Sequence, residues 1–121
     1  MGLVIAYYSL TGNTRRFVDK LGLQAVNITE TPTLTEPFIL VTPTYKFGGI
    51  PAPVTEFLYR NGDLLAGVIG GGDKVWGDGN YARAGRTISA EFNIPLLGTF
   101  EKAGTSQETE IIRERLRYFD E

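Results

Sequence analysis

Hydroxyl and amide side chains are concentrated in a short stretch near the amino terminus, YYSLTGNTRR at residues 7–16, where they could bind an anion. A strand-like run ends here, and a helix is predicted to begin. The N-terminus of a helix adds free backbone N–H groups and a positive dipole end. Each hydrogen bond to a charged group contributes about 1.5–3 kcal/mol, so several could hold a phosphate dianion without a lysine. The predicted phosphate site, here called the first loop, consists of Ser9, Leu10, Thr11, Gly12, Asn13 and Thr14.

The spacing of these polar residues distinguishes phosphate binding from simple helix capping. A single hydroxyl residue at a strand-to-helix junction usually only caps the helix, but the spacing S-x-T-G-x-T favours phosphate binding. The alternative phosphate motif G-x-x-x-x-G-K-[ST] is absent from the chain, which argues against a nucleotide triphosphatase. Gly12 permits a tight turn. Arg15 and Arg16 are expected to lie on a solvated helix face.

The elements that must position this loop alternate along the chain. Strands are predicted at residues 2–8, 24–28, 38–42, 64–69 and 95–100, and helices follow from Thr14, from the prolines near residue 53, and over residues 80–92. A T-x-x-E capping box, Thr105 and Glu108, begins a fourth helix. This alternation predicts a doubly wound α/β fold with a parallel sheet. Ligands of such folds bind beyond the carboxyl ends of the strands.

Composition narrows the chemistry that the chain can perform. The 121 residues fit one domain, and the net charge of −2 argues against nucleic acid or an anionic membrane as the main partner. No apolar run is long enough for a membrane span, and no basic leader is apparent, so a cytoplasmic location is expected. The chain has no cysteine and no histidine, the residues that most often supply nucleophiles, proton transfer and metal ligands. Any chemistry is therefore expected to come from a cofactor.

The motifs together resemble a known family. The pattern S-x-T-G-N-T resembles the FMN phosphate loop of flavodoxins, and AYYSLTGNTRRFV followed by PTYKFGG and VWGDGNYA is similar to the NrdI family. Members are small flavodoxin-like proteins that activate the manganese form of class Ib ribonucleotide reductase. The resemblance covers almost the whole chain. It implies a flavodoxin-like five-stranded parallel sheet in the order 2-1-3-4-5, helices on both faces, a single domain over residues 1–121, FMN as cofactor and no metal site.

A phosphate in the first loop would put the flavin ring across the loops after the third and fourth strands. The second loop, residues 42–49, contributes Pro43, Thr44, Tyr45, Phe47, Gly48 and Gly49. The third loop, residues 70–81, contributes Gly71, Gly72, Trp76, Gly77, Asp78 and Tyr81.

Aromatic and glycine residues suggest how these two loops would treat the ring. Trp76 is expected to stack on one face of the flavin, with either Tyr45 or Phe47 on the other. The resemblance implies that the Gly48-Gly49 segment tunes the ring, because a backbone carbonyl there could turn to accept a hydrogen bond from the ring when its central nitrogen gains a proton. Lys46 is expected to point to solvent. No side chain is expected to act as acid, base or nucleophile.

The resemblance also implies a function. Reduced FMN would give an electron to O2, and the resulting superoxide-level oxidant would pass to the dimanganese small subunit of class Ib ribonucleotide reductase, where a tyrosyl radical forms. A separate flavin reductant would be needed. A general electron-transfer flavodoxin is the alternative, although such proteins are usually longer and more acidic than this chain. Receiver domains and phosphatases of similar fold are disfavoured, since they need an acidic cluster or a loop cysteine.

Overall fold

The structure is a computed structural model, and it describes residues 4–119. Strands and helices alternate along the chain as the sequence pattern predicts, except that β3 follows β2 with no helix between them. The strands are β1 (Val4–Tyr7), β2 (Ala25–Asn27), β3 (Phe38–Thr42), β4 (Leu65–Gly72) and β5 (Leu96–Glu101). The α-helices are α1 (Asn13–Leu21), α2 (Ala52–Asn61), α3 (Arg83–Phe92) and α4 (Ser106–Phe119). Short 3-10 helices lie at Gly62–Leu64 and Lys74–Trp76.

The five strands form one parallel sheet in the order β2-β1-β3-β4-β5, which confirms the predicted topology. β1 pairs with β3, with Tyr7 opposite Val41, so the first loop and the second loop leave the sheet side by side. β3 pairs with β4, with Thr42 opposite Gly70. The carboxyl ends of β1, β3 and β4 therefore lie at one edge of the sheet, with the strand order reversing at β1.

Apolar residues are buried on both faces of the sheet. One cluster lies between the sheet and helices α1 and α4, and the other lies on the α2 and α3 side. The ring of Phe17 in α1 stacks on that of Phe100 in β5, with centroids 3.8 Å apart. Ile112 and Leu116 are the buried apolar residues of α4. Burial of β3 on both sides explains why its sequence shows no alternation.

Local capping agrees with the sequence at α4. The backbone N–H of Glu108 donates to Thr105 Oγ1 at 3.0 Å, and the N–H of Thr105 donates to Glu108 Oε1 at 2.9 Å. These reciprocal bonds are the predicted capping box.

Two predicted boundaries are wrong by three residues, and several others differ by a single residue. The fourth strand continues through three glycines to Gly72 instead of ending at residue 69, because these glycines still pair with β5. The third helix begins at Arg83 rather than near Asn80, after Ala82 in the left-handed region at φ 55°. Tyr81 thus lies in the loop, not on the helix. The predicted first strand is observed from Val4, and residues 2 and 3 lie outside the described part.

Within residues 4–119, none of the helices has both the length and the apolar composition required to cross a membrane.

Candidate functional site

A cavity of about 540 Å³ lies at the carboxyl edge of the sheet, in the range typical of cofactor sites, roughly 300–1,000 Å³. Residues from the three predicted loops line it together. Ten of the predicted site residues are among the lining: Leu10, Thr11, Asn13, Thr14, Pro43, Thr44, Tyr45, Gly71, Gly72 and Trp76. Four further residues complete it: Lys46, Asp73, Phe100 and Lys102.

The first loop is organised by the hydroxyl of Ser9. Its Oγ accepts hydrogen bonds from the backbone N–H groups of Gly12 at 3.1 Å and Arg15 at 3.3 Å. Both acceptor positions of the oxygen are thereby used, and its O–H donor remains. The N–H groups of Asn13 and Thr14 belong to the first turn of α1, where no intrahelical partner exists. The loop therefore offers backbone and hydroxyl donors at the positive end of a helix.

Arg16 adds a positive charge to this loop. Its Nη2 donates to Asn13 Oδ1 at 2.9 Å, and a Cβ atom at position 12 would lie 2.8 Å from Arg16 Nη1. The guanidinium therefore folds back over Gly12, although the residue is exposed, as expected for a solvated helix face. Gly12 itself has φ 94°, a left-handed conformation that favours glycine.

The second loop is a tight hairpin tied to its neighbours. Tyr45 and Gly49 exchange two backbone hydrogen bonds, each of 2.8 Å, and Gly48 has φ 108°. At its base, Thr44 Oγ1 donates to the carbonyl of Gly71 at 2.9 Å and accepts from the N–H of Ala84 at 3.2 Å. The loop is thereby joined to β4 and to α3.

Aromatic side chains form the outer part of the site. Tyr45 and Trp76 both line the cavity, whereas Phe47 packs edge-on against Trp76, with ring centroids 5.0 Å apart. All three remain exposed, Phe47 most of all at 68%. Tyr45 is thus the aromatic residue of the second loop that borders the cavity.

The glycines of β4 allow close packing behind the cavity. A Cβ atom at Gly71 would lie 2.5 Å from the ring of Phe100, and one at Gly72 would lie 2.6 Å from the backbone nitrogen of Ala82. Any side chain at either position would displace the floor of the cavity or the start of α3.

Charged groups around the cavity are unequal in number. Lys46, expected to point to solvent, is exposed but also borders the cavity, with Nζ 5.3 Å from the Tyr45 ring centroid. Lys102 borders it from the turn after β5, where its N–H donates to the carbonyl of Gly72 at 2.8 Å. Asp73 supplies one carboxylate, and its Oδ1 caps the 3-10 helix by accepting from Val75 at 3.0 Å. Two cations against one anion favour a negatively charged ligand.

Lys102 was not predicted as a site residue. Its signal was its position directly after the fifth strand, whose carboxyl end lies beside that of β4 in a parallel sheet.

Eight predicted site residues do not line the cavity: Ser9, Gly12, Phe47, Gly48, Gly49, Gly77, Asp78 and Tyr81. Ser9 and Gly12 shape the first loop, in which Ser9 Oγ accepts from the N–H of Gly12, and Gly48 and Gly49 form the hairpin. Gly77, at φ 100°, lies where the 3-10 helix turns into the rest of the third loop. Partial burial raises the pKa of Tyr81, a hydrogen bond with Thr99 opposes this, and the charges of Glu108 and Glu101 add to it.

Comparison with known proteins decides the family. The family model described as NrdI flavodoxin-like matches residues 5–114. Protein NrdI of Bacillus licheniformis is 40% identical over 113 residues, which cover 93% of this chain and 86% of that protein. The chain belongs to the NrdI family. Membership confirms the predicted resemblance and the prediction of FMN as the cofactor.

Solved flavodoxin structures share the fold of this NrdI-family chain. Oxidised flavodoxin 1 from Bacillus cereus superposes with a TM-score of 0.73 at 17% identity, covering 98% of this chain and 97% of the other. Two-electron-reduced flavodoxin from Megasphaera elsdenii gives 0.67 at 15% identity, covering 96% and 98%. At such identities the likeness establishes the fold alone.

The residues of this NrdI-family protein fit an FMN molecule in chemical type. Donors without a formal charge at the N-terminus of α1 suit a phosphate, and the aromatic side chains of Tyr45 and Trp76 suit a flat ring. The cavity connects these two groups of residues, as a single elongated cofactor requires.

Proposed function

We propose that this chain holds FMN with its phosphate in the first loop and its ring between the second and third loops. In the proposed reaction the protein supplies a superoxide-level oxidant for assembly of the dimanganese-tyrosyl radical cofactor of class Ib ribonucleotide reductase. A separate reductant, O2 as the small-molecule substrate and a cytoplasmic location are parts of the same proposal.

The observation that carries the proposal is the composition of the cavity. Thr11, Asn13 and Thr14 line one part, and Tyr45 and Trp76 line another, with no cysteine or histidine in the chain. Bound FMN would supply the redox chemistry of the proposed reaction, the one-electron reduction of O2. The protein then has only to bind, orient and expose the cofactor.

Binding of the phosphate would use donors that the first loop already orients. The N–H groups of Asn13 and Thr14 and the hydroxyls of Ser9 and Thr11 are the proposed donors. Arg16, held over Gly12 by its bond to Asn13, adds attraction without being needed as a direct ligand. Because Ser9 organises the turn through two N–H bonds, little ordering remains when the ligand binds.

Orientation of the ring would depend on Tyr45 and Trp76. Stacking on a flat ring contributes about 0.5–1.5 kcal/mol beyond the burial of area. Phe47 packs edge-on against Trp76 and would support that side chain without itself contacting the flavin ring. Lys46 and Lys102 would stabilise the negative charge of a reduced ring, which Asp73 partly opposes.

The carbonyl of the Gly48-Gly49 peptide is the proposed acceptor of a hydrogen bond from the N–H group that a reduced ring would carry. The N–H of this peptide donates to the carbonyl of Tyr45 at 2.8 Å, so turning the peptide over would break one hydrogen bond, at about 1 kcal/mol. Glycine at both positions keeps the remaining backbone cost small.

Exposure of the ring site would follow from the open aromatic rim. Trp76 is 39% exposed and Tyr45 46% exposed, which leaves room for O2 and for a docked partner.

Radical assembly tests this function directly. The photoreduced protein is mixed with O2 and a dimanganese-loaded class Ib small subunit, and the tyrosyl radical is measured by electron paramagnetic resonance. The expected result is radical formation that requires both the FMN-loaded protein and O2. Control reactions contain FMN-free protein or free reduced FMN.

The alternative, a general electron-transfer flavodoxin, predicts a different outcome. Rapid reduction of unrelated acceptors such as cytochrome c, with no radical above the free-FMN control, would contradict the proposed function and favour the shuttle.

A further inference from the structure

The N-cap residue of helix α3 provides no side-chain cap. This residue is Ala82, which has φ 55° and no side chain able to accept a hydrogen bond. The N–H of Ala84, in the first turn, instead donates to the hydroxyl of Thr44, which is 40 residues earlier in the chain. A residue of the second loop therefore caps a helix that follows the third loop.

The same hydroxyl is also bonded to β4. Thr44 Oγ1 donates to the carbonyl of Gly71 at 2.9 Å. A hydroxyl has one donor hydrogen and two acceptor lone pairs, so the donor is used and one lone pair remains. While the bond to Gly71 persists, Thr44 has no hydrogen to donate to a ligand in the cavity.

We propose that Thr44 is a positioning residue, which fixes the second loop to β4 and α3 before a cofactor binds, rather than a direct donor to the cofactor. The effect on FMN rests on the proposed function, whereas the capping of α3 does not. Tyr45 is the next residue and borders the cavity. The two hydrogen bonds of Thr44 therefore fix the position from which the backbone and ring of Tyr45 extend. Without these two hydrogen bonds, FMN binding would have to order the second loop, and the affinity for FMN would fall.

The test replaces the hydroxyl without changing the shape of the side chain. Thr44→Val removes both hydrogen bonds, and Thr44→Ser restores the hydroxyl. Thr109→Val is the matched control, because the hydroxyl of Thr109 in α4 also donates to a backbone carbonyl, that of Thr105 at 2.8 Å, and Thr109 does not line the cavity. Three quantities are measured: amide exchange at Ala84 in the FMN-free protein, the FMN dissociation constant, and the midpoint potential of bound FMN.

In Thr44→Val, we expect Ala84 to exchange about tenfold faster without FMN, and FMN to bind about tenfold more weakly. The midpoint potential of bound FMN should change together with the affinity. Thr44→Ser should restore all three quantities to the values of the parent protein. Thr109→Val should leave all three unchanged even if it lowers global stability. If Thr44→Val does not fold, Thr44→Ala, which adds no bulk, takes its place.

Unchanged exchange at Ala84 in FMN-free Thr44→Val, together with weaker FMN binding, would overturn the inference in favour of direct contact. Equal effects of Thr109→Val and Thr44→Val on affinity would overturn it as well. If the parent protein binds no FMN, the proposed function fails, but Ala84 exchange still decides whether Thr44 caps α3.

Discussion

The first loop and the two ring loops are built in different ways. In the first loop, Ser9 bonds to residues three and six positions away, so the turn is held by its own sequence. In the second loop, Thr44 bonds to residues 27 and 40 positions away. The proposed phosphate site is therefore formed by residues close together in the sequence, whereas the proposed ring site depends on contacts among the second loop, β4 and α3.

This difference explains which parts of a flavin site can vary. A local loop keeps its shape as long as its few residues remain, whatever surrounds it. Loops held by distant contacts can shift with any change in the packing of β4 or α3, and they offer more ways to tune a ring. Substitutions can therefore perturb the two regions separately.

The largest effect is expected from Gly12→Glu, which disrupts the local region. A glutamate would require φ near 94°, a conformation that L side chains rarely adopt, and would set a carboxylate beside the proposed dianion after displacing the exposed Arg16 guanidinium. FMN should bind at least about 100-fold more weakly. The FMN dissociation constant is measured by titrating the FMN-free protein with FMN and monitoring the quenching of flavin fluorescence.

Gly79→Glu is the matched control for that variant. No atom lies within 4 Å of a Cβ built at Gly79. Affinity in this control should stay within a few-fold of the parent, and equal losses in both variants would show that added charge alone explains the effect.

Gly71→Ala perturbs the long-range region. The added methyl group would lie 2.5 Å from the Phe100 ring, which is stacked on Phe17. Overpacking of this kind lowers the free energy of unfolding by about 1–3 kcal/mol. Urea denaturation of the FMN-free protein measures this free energy of unfolding. An unfolding free energy equal to that of the parent would show that the floor of the cavity yields easily.

Trp76→Leu should have a smaller effect on binding. Loss of stacking on the ring should lower FMN affinity by about 2- to 13-fold, while Trp76→Phe should retain part of it. As Trp76 is the sole tryptophan, its fluorescence in the parent should also be quenched when FMN binds. Unquenched emission at saturating FMN would contradict contact between Trp76 and the flavin.

The smallest effect is expected from Tyr81→Phe, and only at alkaline pH. Partial burial raises the pKa of Tyr81 above 10.0, so above that pH the unfolded state loses the proton first. Stability from this group is complete below about pH 10 and is lost as the pH rises through the folded-state pKa. Denaturation of both proteins at about pH 8 and about pH 11 should show the parent losing stability relative to the variant. An equal difference at both pH values would contradict the raised pKa.

The sequence predicted what local patterns determine. Alternating elements and the T-x-x-E box at Thr105 identified the fold, and the hydroxyl spacing identified the first loop. The continuation of β4 through Gly72 was missed, because its pairing with β5 outweighs the low strand propensity of glycine. Lys102 and the hydrogen bonds of Thr44 were not predicted, because both depend on contacts between residues that are far apart in the sequence.

The central claim is that uncharged donors at the start of α1 hold the phosphate of FMN. Titration of the FMN-free protein with FMN and with riboflavin, which lacks only the phosphate, tests it most directly. Two or more hydrogen bonds to a dianion predict that FMN binds at least about 100-fold more tightly than riboflavin. Equal affinities for the two flavins would contradict the claim.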